Sequence, residues 1–512
     1  MWSSFTYHEP SPTSLLILTS WLYLLNLFGW LSQYILSAQL LGQILIGIIY
    51  GTPLAGWLDE SWEEAFVVLG YVGLLLLVFE GGLSSSFSQV ISLLHISLCV
   101  ALTGILLPIG LSFIVIPLAS STPLHAFAAG AALSSTSLGT SLSVLNPTAI
   151  GFDLRRTRLG TALLSAAVMD DVVAFVLASI LKVIGDGAGK NSEIGKNVGR
   201  TIGVTIGLGI IILPITRYGL LPLYLRLRRG TKWRTATWGG EPLLIALMVC
   251  MFVGMIAAAG YAGTSPLFGA YVAGLACAYI ADNEETENPT NKALDVEVDG
   301  NDSTERGRSY PLTRINTFPG ARTASSSLHL PNDGLFHRNS TQSTTITPNN
   351  DYDCIAAPAP TLRSAFHHFL TPLLEYLLIP IFFGSIGYSI PFIPLWRGRI
   401  IWRGIIYALL MILGKAFCGL WIVLWPSIGK GIATRGKTSW KGALFLGSAM
   451  IARGEIGLLI SQIAYNTENP LLTEDEFLIV NWGIILCTIV GPLGVGWMVK
   501  RWRVSVTDGG WD

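Results

Sequence analysis

Two carboxylates, Asp170 and Asp171, stand side by side near the middle of 160–181, GTALLSAAVMDDVVAFVLASIL. That run is otherwise long and apolar enough to cross a bilayer. An ionised Asp at the centre of a spanning helix costs about 2.5–3.5 kcal/mol on insertion scales, and two neighbours also repel each other. A chain that keeps such a pair has to supply a partner cation, a bound ion, a proton, or some combination of these. Adjacent helical residues point about 100° apart, so the two carboxylates cannot share a face. One can meet a fixed partner while the other faces a water-filled cavity.

Lys415, in MILGKAFCGLWIV, is the only lysine deep inside an apolar run. Its burial calls for a carboxylate. The economical arrangement pairs Lys415 with one Asp and leaves the other to bind an ion. Burial disfavours the charged form of both groups and pairing favours it, so either group could titrate near physiological pH. A purely structural salt bridge is the plainer reading, but two carboxylates in one span exceed what a bridge requires.

Other polar residues interrupt the apolar pattern. The stretch 130–147, GAALSSTSLGTSLSVLNP, crowds Ser134, Ser135, Thr136, Ser137, Gly139, Thr140 and Ser141 between apolar ends. It is poor helix material. A span broken there would expose helix ends and free carbonyls able to coordinate an ion, with small-residue helix packing as the alternative. GALFLGSAMIARGEIGLLI is interrupted in the same way by Arg453, Gly454 and Glu455, read as structural charges in the core. Glu80, in LLLLVFEGGL, is a candidate for the ion path or a rim position. His95 and His125 sit near span ends, where a plain packing role outweighs pH sensing.

The elements that must position these groups follow from composition. The 512 residues are 51% hydrophobic and 12% charged, with mean hydropathy +0.56. Soluble domains run near 25% charged, so the chain reads as an all-α polytopic membrane protein. Net charge is zero, which gives no sign of nucleic-acid binding. The six cysteines show no metal-ligand spacing, and no cofactor is implied. Apolar length marks about thirteen transmembrane helices, at 13–31, 34–52, 63–82, 91–118, 124–146, 158–182, 198–225, 241–261, 264–281, 366–390, 399–426, 440–465 and 476–499. The expected domains are a first transmembrane part over 1–281, a disordered cytoplasmic loop over 282–365, a second transmembrane part over 366–500 and a cytoplasmic tail over 501–512.

An odd number of spans puts the termini on opposite sides. Basic residues crowd one set of loops, at Arg155, Arg156 and Arg158, at 226–234, at 430–441 and at 500–503. The positive-inside rule then puts the N-terminus outside or in a lumen and the C-terminus in the cytoplasm, with Arg397–Arg403 as an exception.

Together these pieces resemble the monovalent cation/proton antiporter superfamily, the Na⁺/H⁺ exchanger family, in its Asp-Asp branch with bacterial Na⁺/H⁺ antiporters. The resemblance covers about 33–280 and 366–500 and rests on LLGQILIGIIYGTPLAG, LLLLVFEGGL, AALSSTSLGTSLSVL, GTALLSAAVMDDVVA, IPIFFGSIGYSI, ILGKAF and ARGEIGLLI, in that order. It implies two inverted six-helix repeats joined by a linker helix, the seventh segment. Segments five and twelve would be the discontinuous crossing helices, meeting near Asp171. It implies that Asp171 carries the transported monovalent cation, that Asp170 pairs with Lys415, and that Thr136, with Ser137 beside it, is the polar group of the broken helix. It implies elevator-like alternating access, a homodimer in the lipid bilayer, and H⁺ with Na⁺, K⁺ or Li⁺ as the substrates. The Asp-Asp-Lys set implies electrogenic exchange. A plasma membrane or an endomembrane would serve equally, the latter with K⁺/H⁺ exchange. A gated cation channel, a non-transporting sensor and an intramembrane aspartyl protease are the readings from other classes. The channel lacks a filter-like TVGYG sequence, and the protease needs opposed carboxylates on different helices. The expected orientation leaves Asn301-Asp-Ser and Asn339-Ser-Thr without glycan. Treatment with a glycosidase is expected to leave the electrophoretic mobility unchanged, and a shift would overturn the topology.

Overall fold

The structure is a computed structural model and describes residues 9–85, 94–114, 121–137, 158–186, 191–229, 241–287, 361–429 and 439–507. Gly139, Thr140, Ser141, Arg155, Arg156 and nearly all of the expected loop 282–365, with Asn301 and Asn339, lie outside these residues. The chain divides into two units, 1–284 with 360–512 and, separately, 285–359. The description below concerns the first.

Among the described residues every regular element is helical. Helix α1 (Pro12–Leu36) starts where the Ser11 side chain accepts from the Ser14 amide, with proline in the first turn. It ends at Ser37, whose φ of 55° turns the chain straight into α2 (Gln39–Tyr50). Helix α3 (Glu60–Ser84) opens with Glu60 and Glu63, which suit the positive end of a helix dipole. Next come α4 (Leu94–Ser112), α5 (Pro123–Ser134) and α6 (Arg158–Asp186). Helix α7 runs over 191–229 through a π turn at Thr216–Leu220, and is followed by α8 (Glu241–Ala262) and α9 (Pro266–Glu287). Helix α10 covers 362–388 with a π turn at Leu374–Leu378, and α11 covers 398–429 with a 3₁₀ turn at Phe417–Gly419. The last elements are α12 (Ser439–Ala449), α13 (Glu455–Asn466) and α14 (Glu474–Thr507).

Among the described residues nine helices are long and apolar enough to cross a membrane, and α2 is a shorter apolar helix. The sequence-based count of about thirteen also drew on α5, α9 and the pair α12–α13. Of these, α5, α12 and α13 are short, and α9 carries acidic residues in its last turns, as far as Glu287. That helix also runs past the expected loop boundary at 282.

Two features set the packing. Helices α6 and α14 are the most buried, at 61% of their most apolar window. By contrast, α1, α7 and α8 expose large apolar side chains such as Trp30, Ile210 and Val253, a surface that suits lipid and would be a liability in water. Bare backbone meets backbone elsewhere. A Cβ at Gly47 of α2 would run into the Gly384 carbonyl of α10, and Gly82 of α3 and Gly274 of α9 are each pressed against the other helix's backbone. Close glycine approach of this kind is a common way to pack helices in a membrane, where no hydrophobic force drives them together.

Candidate ion-binding site

The site forms where two helices stop short. Helix α5 ends at Ser134, and Ser135 is already extended with ψ of 148°. From the other direction α12 ends at Ala449, and α13 begins only after Gly454. The two breaks cross and are tied together by backbone, with the Ser137 amide donating to the Ala452 carbonyl at 2.9 Å. A Cβ on Gly454 would lie 2.5 Å from the Ser137 side chain, so this close crossing depends on glycine there.

A terminated helix leaves carbonyls without partners. Arg453, fully buried, supplies them: its Nη1 donates to the Ser134 carbonyl at 3.0 Å and to that of Ser135. A guanidinium at a helix C-terminus also complements the dipole. The Arg453 carbonyl in turn accepts from Thr488 Oγ1 of α14 at 2.7 Å. Glu455 does not pair with Arg453. It occupies the first turn of α13, where a carboxylate is favoured, and accepts from Ser137 Oγ at 3.2 Å.

Helix α6 passes this crossing with its two carboxylates in different surroundings. Asp170 is fully buried, as is Lys415 of α11. Lys415 Nζ donates to Asp170 Oδ2 at 2.9 Å and to Thr136 Oγ1 at 2.8 Å, while Thr136 Oγ1 donates to the same Oδ2 at 2.5 Å. Gly104 of α4 makes room for the ammonium, since a Cβ there would sit 3.0 Å from Nζ. Asp171 is only partly buried. Its Oδ1 has no hydrogen-bond partner, and among the described residues no cation lies within ion-pair distance of it. The negative charges of Glu455 and Asp170 both act on it.

Seven of the residues singled out in the sequence therefore gather here: Asp170, Asp171, Thr136, Ser137, Lys415, Arg453 and Glu455. Glu80 does not join them. It lies 4.0 Å from His367, bonds Thr371 and faces Glu375, all on α10. Three further sets of contacts were not read from the sequence. Tyr271 of α9 lies beside Ser85 and feels the charge of Asp171. Its only signal was a lone hydroxyl in the small-residue run LFGAYVAG. Tyr407 and Ser112 share a buried hydrogen bond of 2.7 Å between α11 and α4. His125 meets Glu476 at 2.9 Å, joining the first turns of α5 and α14. Glu476, the first residue of the span expected at 476–499, is 4% exposed, and the Thr473 amide and hydroxyl also donate to it.

Carboxylate, hydroxyl and carbonyl oxygens around a charge-bearing gap form a hard donor set, suited to alkali cations and protons rather than to soft metals. The family model described as "Sodium/hydrogen exchanger, transmembrane" matches residues 17–296 and 356–501, which is most of the chain. The chain belongs to the sodium/hydrogen exchanger family. That family consists of transporters, not enzymes, and its membership makes the chain an integral multi-pass membrane protein. Among curated relatives, the chain is 27% identical over 152 residues to the Na(+)/H(+)-K(+) antiporter GerN of Bacillus cereus, covering 30% of this chain and 38% of that one. It is 26% identical over 163 residues to the probable Na(+)/H(+) antiporter GerT of the same organism, covering 31% and 41%. The match thus spans about two fifths of either relative. In fold the chain is similar to the sodium proton antiporter MjNhaP1 from Methanocaldococcus jannaschii, with a TM-score of 0.53, 15% identity, and 96% and 98% of the two chains covered.

Removing one member of a buried charge pair leaves the other uncompensated, at a cost of about 3–5 kcal/mol. Lys415→Met is expected to lower the thermal stability of the detergent-purified protein sharply, and adding Asp170→Asn should restore most of it. A single variant as stable as the wild type would show that the pair carries no such constraint.

Proposed function

We propose that the protein is a secondary active antiporter that exchanges a monovalent cation for protons at Asp171. The observation that carries this reading is the unequal treatment of two neighbouring carboxylates. Lys415 and Thr136 both bind Asp170 Oδ2, whereas Asp171, the next residue of α6, has no such cation partner, keeps an unpartnered oxygen and feels the negative charge of Glu455 from the crossing of two broken helices. A carboxylate in that position can hold a proton or a cation, but not both. Proton binding on one side of the membrane expels the cation, and cation binding on the other expels the proton. Each loaded form is near neutral and can move through the protein; the empty, charged form cannot.

Na⁺ is the favoured cation, and the printed name of GerN keeps K⁺ open. The broader architecture belongs to the same proposal. Thirteen crossings form two inverted six-helix repeats with α7 as linker, and the breaks after α5 and after α12 are their symmetry-related centres. Helices α4–α6 and α11–α14 form the moving, ion-carrying part. The remaining helices form a scaffold that dimerises. The N-terminus lies outside and the C-terminus in the cytoplasm, and an Asp-Asp-Lys set makes the exchange electrogenic. The domain limits read from the sequence, with a cytoplasmic loop over 282–365, are part of this reading.

In proteoliposomes holding a pH gradient and a pH-sensitive dye, Na⁺, Li⁺ or K⁺ is expected to collapse the gradient through the wild type. Asp171→Asn is expected to reduce the response to that of empty liposomes. Normal exchange by this variant would refute the assignment.

A further inference from the structure

Asp171 and Phe175 lie one turn apart on α6 and so share a face. The ring of Phe175 rests against that of Tyr271 on α9, with centroids 6.5 Å apart and planes at 51°. Tyr271 therefore covers the face of α6 that carries Asp171. It is 5% exposed and lies beside Ser85, which is 2% exposed, donates its hydroxyl to the Gly81 carbonyl and follows the last residue of α3. The backbone beneath it has little freedom. The Tyr271 carbonyl occupies the place a Cβ on Gly82 would take, and the Phe79 carbonyl occupies the place of one on Gly274. Helices α3 and α9 thus meet backbone to backbone at the level of Tyr271, and neither contributes to the crossing of the broken helices.

We propose that Tyr271 is a positioning residue for the ion site, contributed by the rigid α3–α9 pair. Its ring closes one approach to Asp171, and its hydroxyl, beside Ser85, presents a dipole to the carboxylate. A ring at this place keeps bulk water from reaching Asp171 while the site is occupied, so a proton cannot slip past without a cation going the other way. An oriented hydroxyl in a region of low dielectric strengthens the interaction with whichever charge state it faces. This assignment rests on Asp171 being the exchange site. It adds that coupling and cation affinity depend on a residue outside the moving helices, at the interface that alternating access must slide.

The test uses the full chain in proteoliposomes and separates affinity, turnover and leak. Tyr271→Phe keeps the ring and loses the hydroxyl. It is expected to raise the apparent KM for Na⁺ by about three- to tenfold, the scale of one lost hydrogen bond, with a smaller change in maximal rate. Ser85→Ala should act in the same direction through the loss of the neighbouring hydroxyl. Tyr271→Ala, which opens the approach, should let the pH gradient decay without any added cation. A purely structural tyrosine would instead lower the yield of folded protein and the maximal rate while leaving KM and the cation-free leak unchanged. A wild-type KM in both Tyr271→Phe and Ser85→Ala would overturn the proposal, as would a Tyr271→Ala variant that folds and stays tight. Failure of the wild type to exchange any cation would fall on the antiport reading itself, whereas exchange indifferent to Tyr271 would fall on this inference alone.

Discussion

The buried contact among Lys415, Asp170 and Thr136 is the constraint on which the rest of the site depends. It joins α11, α6 and the extended end of α5 through one carboxylate oxygen. A lysine and an aspartate with no exposed surface are tolerable only together. Once they are together, the strand after α5 is fixed at Thr136, and the next residue, Ser137, meets the backbone of the other break at Ala452. Arg453 then closes the same crossing from the far side through the carbonyls of Ser134 and Ser135. Two fixed cations, Lys415 and Arg453, thus hold a place where two helices end.

That arrangement leaves one negative group without a fixed partner. Asp171 follows the paired Asp170 and feels the charge of Glu455, and among the described residues no cation lies within ion-pair distance of it, Lys415 acting on it only from beyond that distance. A site built in this way favours a mobile positive charge. Pairing Asp170 with Lys415 leaves Asp171 as the carboxylate of this pair that is open to a mobile charge, the arrangement the proposed exchange requires. Tyr271 of α9 meets α6 at Phe175, one turn from that residue and on the same face.

Much of this was legible in the sequence because burying charge is expensive. A lysine in MILGKAFCGLWIV and a paired Asp in an apolar run demand each other, and the Ser/Thr cluster around Thr136 signals a broken helix. What the sequence hid depends on distance and direction. Arg453 and Glu455, two residues apart, look like a pair, yet they point to opposite ends of two different helices, one to carbonyls and the other to a first turn. Glu80 looks like part of the path, but α3 carries it to His367 and Glu375 on α10. Glu476 reads as one of three acids at the start of the last span, and only the Thr473 cap and His125 draw it inward. Tyr271 is invisible to periodicity because its importance comes from a neighbour far away in the chain.

The central claim is that a proton and a cation compete for Asp171. The most direct measurement is the equilibrium affinity of the detergent-purified protein for Na⁺, and in parallel for K⁺ and Li⁺, over a series of pH values. Competition for a single carboxylate predicts that the affinity weakens as the pH falls, approaching about tenfold per pH unit once the proton dominates, and that cation binding releases protons into the solution. An affinity that stays constant across the titration, with no proton released on binding, would contradict the account.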